Sequence, residues 1–110
     1  MKKLKISTDF SDTPGARYET DGPFSGEVFR KDFLLPALEG TEGVEIDLND
    51  VEGFGSSFLE EAFGGLVRSD GYKADELLRR LKFKSLDAVY IDQITRYIRN
   101  AQPMKENLST

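Results

Sequence analysis

Two adjacent serines, Ser56 and Ser57, lie in the stretch VEGFGSSFL, between a strand-like segment and a helix-like one. The first turn of a helix presents unpaired backbone N–H groups and a partial positive charge, so a hydroxyl there can cap the helix or carry a phosphate. Ser57 and Glu60 have the spacing of a capping box, in which each side chain accepts from a backbone N–H near the other. A capping box needs one serine and leaves Ser56 unexplained.

A regulatory phosphorylation site is a second chemistry that suits these serines, with Ser57 and Ser56 as the candidates. A phosphate adds roughly −1.5 to −2 charges and three acceptor oxygens, and the fold tolerates it near a helix N-terminus. Phosphorylation there would leave the fold intact and change which charged partners the surface repels. The phosphate would deepen a negative patch if it were surrounded by the acidic residues nearby in sequence, Asp47, Asp50, Glu52, Glu60 and Glu61.

Gly53 and Gly55 suggest a third chemistry, a small-molecule or nucleotide site in which the loop at residues 53–57 cradles an anion. The spacing lacks the Gly-Lys-Ser/Thr of a P-loop and the third glycine of a dinucleotide fingerprint. It also differs from the G-x-S-x-G turn of serine hydrolases. The nucleotide interpretation therefore stays open as the weaker alternative.

The chain contains no histidine and no cysteine, and this removes most enzyme templates. Ser-His-Asp triads, Cys-His dyads, zinc–thiolate sites and disulfides are excluded. The composition leaves Mg²⁺ chemistry on Asp47 and Asp50, but solvated side chains are the simpler interpretation of acids at a strand end and in a turn. We expect a non-enzymatic protein with no catalytic residue, no metal and no cofactor.

Charge is distributed unevenly along the 110 residues, whose net charge is −5. Residues 1–70 hold 7 basic and 15 acidic residues, whereas residues 71–110 hold 8 basic and 5 acidic ones. Such an asymmetry can orient a protein partner by electrostatic complementarity. The overall acidity argues against nucleic acid, whose binding depends on neutralising phosphates.

Length and hydropathy predict one folded unit away from membranes. A chain of this length closes one hydrophobic core and is too short for two. No apolar run approaches the roughly 18 residues of a membrane span, and MKKLKIST lacks the apolar core of a signal peptide. We expect a cytoplasmic protein with a single domain over residues 1–103 and a flexible C-terminal tail over residues 104–110.

The strands that must position the serines are read from alternating apolar and polar residues. The run VEIDL predicts a strand over residues 44–49, and a turn over residues 50–56 follows it. Residues 4–7 alternate in the same way, and residues 16–20 are predicted to pair with them as a hairpin. Residues 83–86 predict a short last strand.

Helices are read from apolar residues at helical spacing. The clearest helix covers residues 57–69, with an apolar stripe of Phe58, Leu59, Ala62, Phe63, Leu66 and Val67. Residues 25–38 predict an earlier helix, in which Pro36 is expected to kink or shorten the last turn. Two further helices are predicted over residues 74–81 and from the N-cap candidate Asp87 to Ala101.

Strands that alternate with helices predict the α/β class, with a small mixed sheet packed against about four helices. In such sheets, ligands and partners collect at the carboxyl ends of the strands, where residues 50–56 lie. Gly64 and Gly65 cost about 1 kcal/mol each inside a helix. Close packing is the expected reason for these glycines, and a flat docking surface is the alternative.

Several runs resemble a known family. The strand VEIDLND, the loop VEGFGSS and the helix FLEEAFGGLV are similar to the central strand-loop-helix of STAS domains, which include anti-sigma factor antagonists. The runs FSGEVFRKDFLLPALEG and VEGFGSSFLEEAFGGLVR resemble more closely the STAS-like family of small bacterial domains of unknown function. The resemblance covers roughly residues 20–101. It implies a STAS-like topology, with a sheet one strand smaller because residues 71–86 lack a full strand.

The resemblance also implies a function. In anti-sigma factor antagonists the equivalent loop reads Asp-Ser-Ser-Gly, and a histidine-kinase-like ATPase that is also an anti-sigma factor phosphorylates the second serine. That serine corresponds to Ser57, whereas Gly55 and Phe58 replace the aspartate and the glycine. Phosphorylation breaks the complex between antagonist and kinase. A partner-switching domain is thus implied, and its expected partner-binding residues are Gly53, Phe54, Gly55, Ser56, Ser57, Glu60 and Glu61.

Overall fold

A computed structural model describes residues 1–103, and the predicted tail at residues 104–110 lies outside the described residues. Among the described residues the sheet has three strands, β1 (Lys2–Lys5), β2 (Val44–Asp47) and β3 (Leu81–Lys84). Their spatial order is β1-β2-β3, and both pairs are parallel. Because parallel neighbours cannot be joined by a tight turn, each connection crosses over through helices.

Four helices accompany the sheet within residues 1–103. Helix α1 covers residues 26–38, with the π-helical turn Arg30–Leu34 between the α-helical segments Gly26–Phe29 and Leu35–Leu38. Helix α2 covers residues 56–68 and consists of Ser56–Leu59, the π-helical turn Glu60–Gly64 and Gly65–Arg68. Helices α3 (Ala74–Arg80) and α4 (Ala88–Asn100) are α-helical throughout.

The side chains of the sheet alternate between a core face and an open face. The helices cover the core face, where the central strand contributes the fully buried Val44 and Ile46. The strand register places charged residues on the open face in two rows across the sheet, Lys3-Glu45-Lys82 and Lys5-Asp47-Lys84. An open groove of about 290 Å³ lies over this face. Parallel sheets are usually covered on both faces, so these strands show an alternation more typical of antiparallel sheets.

The predicted N-terminal hairpin is wrong. Strand β1 ends at Lys5, and Ile6–Phe10 forms a π-helical turn that turns the chain away from the sheet. Residues 16–20 form no strand, and Glu19–Asp21 is a 3₁₀ turn. Strand β1 pairs instead with the distant strand β2, so all the described strands run parallel, whereas a mixed sheet was predicted.

The α/β class and the central strand-turn-helix unit are confirmed. Strand β2 ends at Asp47 and α2 starts at Ser56, within two residues of the predicted bounds. The apolar stripe of α2 is buried along its whole length, as its spacing predicts. Asp87 caps α4, because its Oδ1 accepts a hydrogen bond from the Val89 N–H at 3.0 Å.

One helix boundary, one strand boundary and the predicted proline effect differ in detail. Helix α3 ends at Arg80 and β3 follows at once from Leu81, two residues before the predicted strand. In α1 the π-helical turn immediately precedes the segment that contains Pro36. Because proline has no N–H to donate, the regular hydrogen-bond ladder is already interrupted at this part of the helix.

Candidate functional site

The two serines lie in the first turn of α2 at the carboxyl end of β2. Gly55 occupies the N-cap position with φ of −74° and ψ of 149°, and no side chain caps this end of the helix. Ser56 and Ser57 are exposed, and within residues 1–103 their hydroxyls form no hydrogen bond with another residue. The predicted capping box is therefore wrong, since Ser57 follows the N-cap position and does not occupy it.

The Glu60 carboxylate binds two arginines and does not return to the helix terminus. It forms an ion pair with Arg17 from the loop before α1, and Arg68 donates to its Oε2 at 2.6 Å. Burial of this carboxyl opposes ionisation, but the hydrogen bonds from Arg68 and Arg17 outweigh it, so the pKa of Glu60 lies below its ordinary value. The hydrogen bond with Glu60 likewise raises the pKa of Arg68 and of Arg17.

Glu61 and Arg30 form a second ion pair, deeper between α1 and α2. Each residue is only 4% exposed, and the Arg30 Nη2 donates to the Glu61 Oε2 at 2.7 Å. Arg30 also donates to Asp70 at 2.9 Å, and Arg68 donates to Glu61 at 3.2 Å. We call these six residues the ion-pair network: Arg17, Arg30, Glu60, Glu61, Arg68 and Asp70.

The glycine pair in α2 makes room for this network. A Cβ atom on Gly65 would lie 2.5 Å from the Nε of Arg30, and one on Gly64 would lie 2.7 Å from the Oε2 of Glu60. Close packing, the predicted reason for the two glycines, is therefore what the structure shows. The neighbours are the charged side chains of the network, which the sequence alone did not connect to these positions.

The acidic residues before the loop are paired with a lysine of the open sheet face. The Lys5 Nζ lies 2.7 Å from Asp50 and 3.8 Å from Asp47, and the hydrogen bond to Asp50 raises the pKa of Lys5. The predicted patch of five surrounding carboxylates is thus largely compensated, with Glu52 left without an ion-pair partner among residues 1–103. Within the same residues no group of three potential metal ligands comes together.

The loop before the serines is held by aromatic packing. The Phe54 ring lies 5.0 Å from the Tyr90 ring and 6.0 Å from the Phe58 ring, measured between centroids. Gly53 and Phe54 are half-buried, whereas Gly55 and the serines are exposed. Of the predicted partner-binding residues, the structure exposes Gly55, Ser56 and Ser57, half-buries Gly53, Phe54 and Glu60, and buries Glu61.

Residues outside the predicted site share this end of the molecule. The turn between β3 and α4 presents Leu86 with 96% of its surface exposed, and Val89 follows with 62% exposed. The Leu86 N–H donates to the Asn49 Oδ1 at 2.8 Å, which joins this turn to the loop after β2. The sequence predicts a strand over residues 83–86, whereas the structure ends β3 at Lys84 and places Leu86 in the turn.

The comparison with protein families gives one match. Residues 25–90, more than half of the chain, match the model of the STAS-like domain of unknown function (DUF4325). The chain belongs to this family. Neither the curated proteins nor the solved structures gave a match.

The STAS-like match runs from the N-cap of α1, Ser25, to the first turn of α4 at Tyr90. It contains β2, the loop at residues 53–57 (the serine loop), the whole of α2 and β3, so the candidate site lies inside the family region. It leaves out β1 and Arg17. Among residues 1–103 we find no helix with the length and apolar character that crossing a bilayer requires.

Proposed function

We propose that this STAS-like chain is a non-enzymatic regulatory domain that binds a protein partner through the loop at residues 53–57. The partner is a histidine-kinase-like ATPase, and phosphorylation of Ser57 by that partner ends the complex. The resemblance to anti-sigma factor antagonists supports the class of partner, because Ser57 stands at the position of their modified serine.

One observation carries the proposal. Ser57 is exposed and its hydroxyl is unengaged among residues 1–103, although nearby Glu60 and Glu61 are paired within the fold. Buried or structural hydroxyls normally find a hydrogen-bond partner. A polar group that the fold does not use, in the first turn of α2, is available to an external protein.

The position of Ser57 gives a phosphate a defined effect. The first turn of α2 has free N–H groups and the positive end of the helix dipole, so the folded domain tolerates the added charge. A partner that packs over the turn would have to remove water from a dianion, and the cost of that desolvation opposes binding. Phosphorylation thus changes the affinity while the domain stays folded.

The first experiment asks whether the modification exists. Trypsin releases residues 32–68 as one peptide, because no lysine or arginine lies between Lys31 and Arg68. Mass spectrometry of this peptide, from protein isolated with phosphatase inhibitors, should show phosphate on Ser57. An unmodified peptide under several growth conditions would contradict regulation at Ser57.

The second experiment measures the consequence for binding. Each anti-sigma-type ATPase encoded by the host is purified and titrated with the wild-type domain, Ser57→Ala and Ser57→Glu. We expect one ATPase to bind wild type and Ser57→Ala, and to bind Ser57→Glu at least tenfold more weakly. Ser56→Glu is the matched control for added charge one residue away. Equal affinities for all four proteins would contradict the switch.

The nucleotide alternative gains no support from a specific observation. The open groove of about 290 Å³ is lined by residues of the sheet and of the turn after β1, including Lys3, Lys84 and Asp9, and not by residues 53–57. The alternative predicts a rise in melting temperature with millimolar nucleotide. Absence of that rise would remove it.

A further inference from the structure

Two apolar side chains are exposed after β3, one in the turn that follows the strand and one in the first turn of α4. Leu86 is 96% exposed in the turn after β3, and Val89, the second residue of α4, is 62% exposed. Single exposed apolar residues are ordinary in soluble proteins. Two of them, three residues apart and beside a candidate binding loop, give a partner apolar surface to bury.

Hydrogen bonds hold this turn in one conformation. The Ser85 hydroxyl donates to the Asp87 carbonyl at 2.9 Å and accepts from the Asp87 N–H at 3.1 Å. Asp87 caps α4, and the Leu86 N–H is fixed to Asn49 at 2.8 Å. Leu86 is therefore displayed on an ordered backbone, and a partner that buries it meets little cost for ordering the turn.

The exposed apolar pair and the serine loop belong to one surface. Helices α2 and α4 both begin where a parallel strand ends, so their first turns lie at the same edge of the sheet. Tyr90 packs against Phe54, which joins the first turn of α4 to the serine loop. The apolar pair thus extends the surface that the proposed partner would cover.

The segments that form this surface carry acidic residues that have no ion-pair partner among residues 1–103, although Asp47, Asp50, Glu60 and Glu61 are paired. Residues 44–67 and residues 85–95 contain no lysine and no arginine. Glu52, Asp87 and Asp92 are exposed within these segments. Asp92 lies three residues after Val89 on α4 and therefore on the same side of the helix. A complementary partner presents an apolar pocket with a basic rim.

We propose that Leu86 and Val89 are the apolar anchors of the docking surface, and that they insert into an apolar pocket rimmed by lysine or arginine on the partner protein. This inference rests on the proposed function, since it names further residues and the partner chemistry of the same surface. It assigns the apolar contact to Leu86 in the β3–α4 turn and to Val89 at the start of α4. Phosphorylation in the serine loop then controls whether the partner binds.

A site-specific photocrosslinker tests the proposed function and the apolar anchors separately in the native host. A benzophenone amino acid replaces Leu86, Val89, Gly55 or Thr41 in four variants of the full chain. A Cβ atom on Gly55 would have open space around it to 4 Å, so this position accepts a side chain. Thr41 is exposed before β2, at the opposite edge of the sheet, and is the positional control.

The expected result is one and the same protein crosslinked from positions 86, 89 and 55, and not from position 41. Crosslinking from position 55 alone would overturn the anchors and leave the proposed function intact. Crosslinking from position 86 only to a second copy of the chain would overturn the assigned partner. No crosslink at any of the four positions would contradict both proposals.

Affinity measurements with the crosslinked protein, once purified, complete the test. Leu86→Ser should weaken binding about tenfold or more, as loss of a buried leucine contact does. Because Leu86 is exposed in the free domain, the melting temperature should not change, and Thr41→Ala should bind as wild type does. Association with wild type should slow as salt increases. Unchanged affinity of Leu86→Ser, or association that salt does not slow, would overturn the inference.

Discussion

The first turn of α2 and the middle of α2 both carry polar side chains, but only those in the middle are bound by the rest of the fold. At the start of the helix, Ser56 and Ser57 are exposed and their hydroxyls have no hydrogen-bond partner among residues 1–103. One turn later, Glu60 and Glu61 bind arginines from the loop before α1, from α1 and from α2 itself. One helix therefore holds a turn that the fold leaves unused and a turn on which the fold depends.

This contrast distinguishes polar side chains that stabilise the fold from polar side chains that are available for binding. Arg30 and Glu61 are almost completely buried, so removal of either partner leaves a buried charge whose remaining pairs are with more exposed residues, including Asp70 for Arg30 and Arg68 for Glu61. The serines can change without such a cost, because nothing in the fold relies on their hydroxyls. We therefore expect mutations in the middle of α2 to affect stability, and mutations in the first turn to affect binding.

The sharpest way to break this comparison is removal of the buried guanidinium. Arg30→Met should lower the free energy of unfolding by about 3 kcal/mol, because Glu61 and Asp70 both lose a charged partner. Urea unfolding measures it. The neighbouring Lys31→Met breaks an exposed pair with Glu27 and should cost under about 0.5 kcal/mol. Equal costs for the two variants would contradict a special role for the network.

A smaller effect should separate the two glycines of α2. Gly65→Ala should destabilise by about 2 kcal/mol, because its Cβ would displace the Arg30 side chain, whose guanidinium is held by hydrogen bonds to the carbonyl and the carboxylate of Glu61. Gly64→Ala displaces only the end of Glu60 and gains helix propensity, so its cost should be under about 1 kcal/mol. Thermal unfolding of both variants gives the order, and the reverse order would refute this account of the pair.

The Glu60 ion pairs should show as a pH dependence of stability. The folded state lowers the pKa of Glu60, so its contribution is complete above the unfolded value of about 4.3 and is lost as pH falls through the folded value. Glu60→Gln should therefore be less stable than wild type by about 1 kcal/mol at pH 7, with the difference vanishing near pH 2. Urea unfolding across this range measures it. A difference that persists at pH 2 would assign the effect to packing.

The smallest effect should come from the exposed turn. Ser57→Ala should change stability by under about 0.5 kcal/mol, since its hydroxyl caps nothing. Asp87→Ala is the matched control, because this carboxylate does cap its helix, and its loss should cost about 1 kcal/mol. Melting temperatures of the two variants decide the point. A Ser57→Ala cost as large as that of Asp87→Ala would restore the capping role.

The sequence pattern of a single strand or helix was sufficient to predict the features that depend on that element alone. The alternation of Val44 to Leu48 and the apolar stripe of α2 follow from burial on one face, and the Asp87 cap is made within three residues. The position of the serine loop at the end of β2 follows from the same local order. These parts of the fold and of the candidate site were predictable from sequence.

Long-range contacts account for the parts that local pattern did not predict. Glu60 has the spacing of a capping residue, but it binds Arg17, which lies 43 residues away in the chain. The N-terminal strand alternates as a hairpin strand would, yet its partner is β2. The backbone N–H of Leu86 donates to Asn49, 37 residues distant. No local pattern encodes such choices of partner.

The parallel sheet has a consequence for how the chain reaches this structure. Lys2 pairs with Val44, and Val44 pairs with Leu81, so each strand pair closes a long loop. During synthesis β1 emerges first and has no strand to join until β2 has followed, and the sheet is completed only after β3. Helices α1 and α2 can form earlier, because their hydrogen bonds are local. Refolding should therefore be limited by strand pairing and take milliseconds or longer, with helical signal preceding the burial of the sheet.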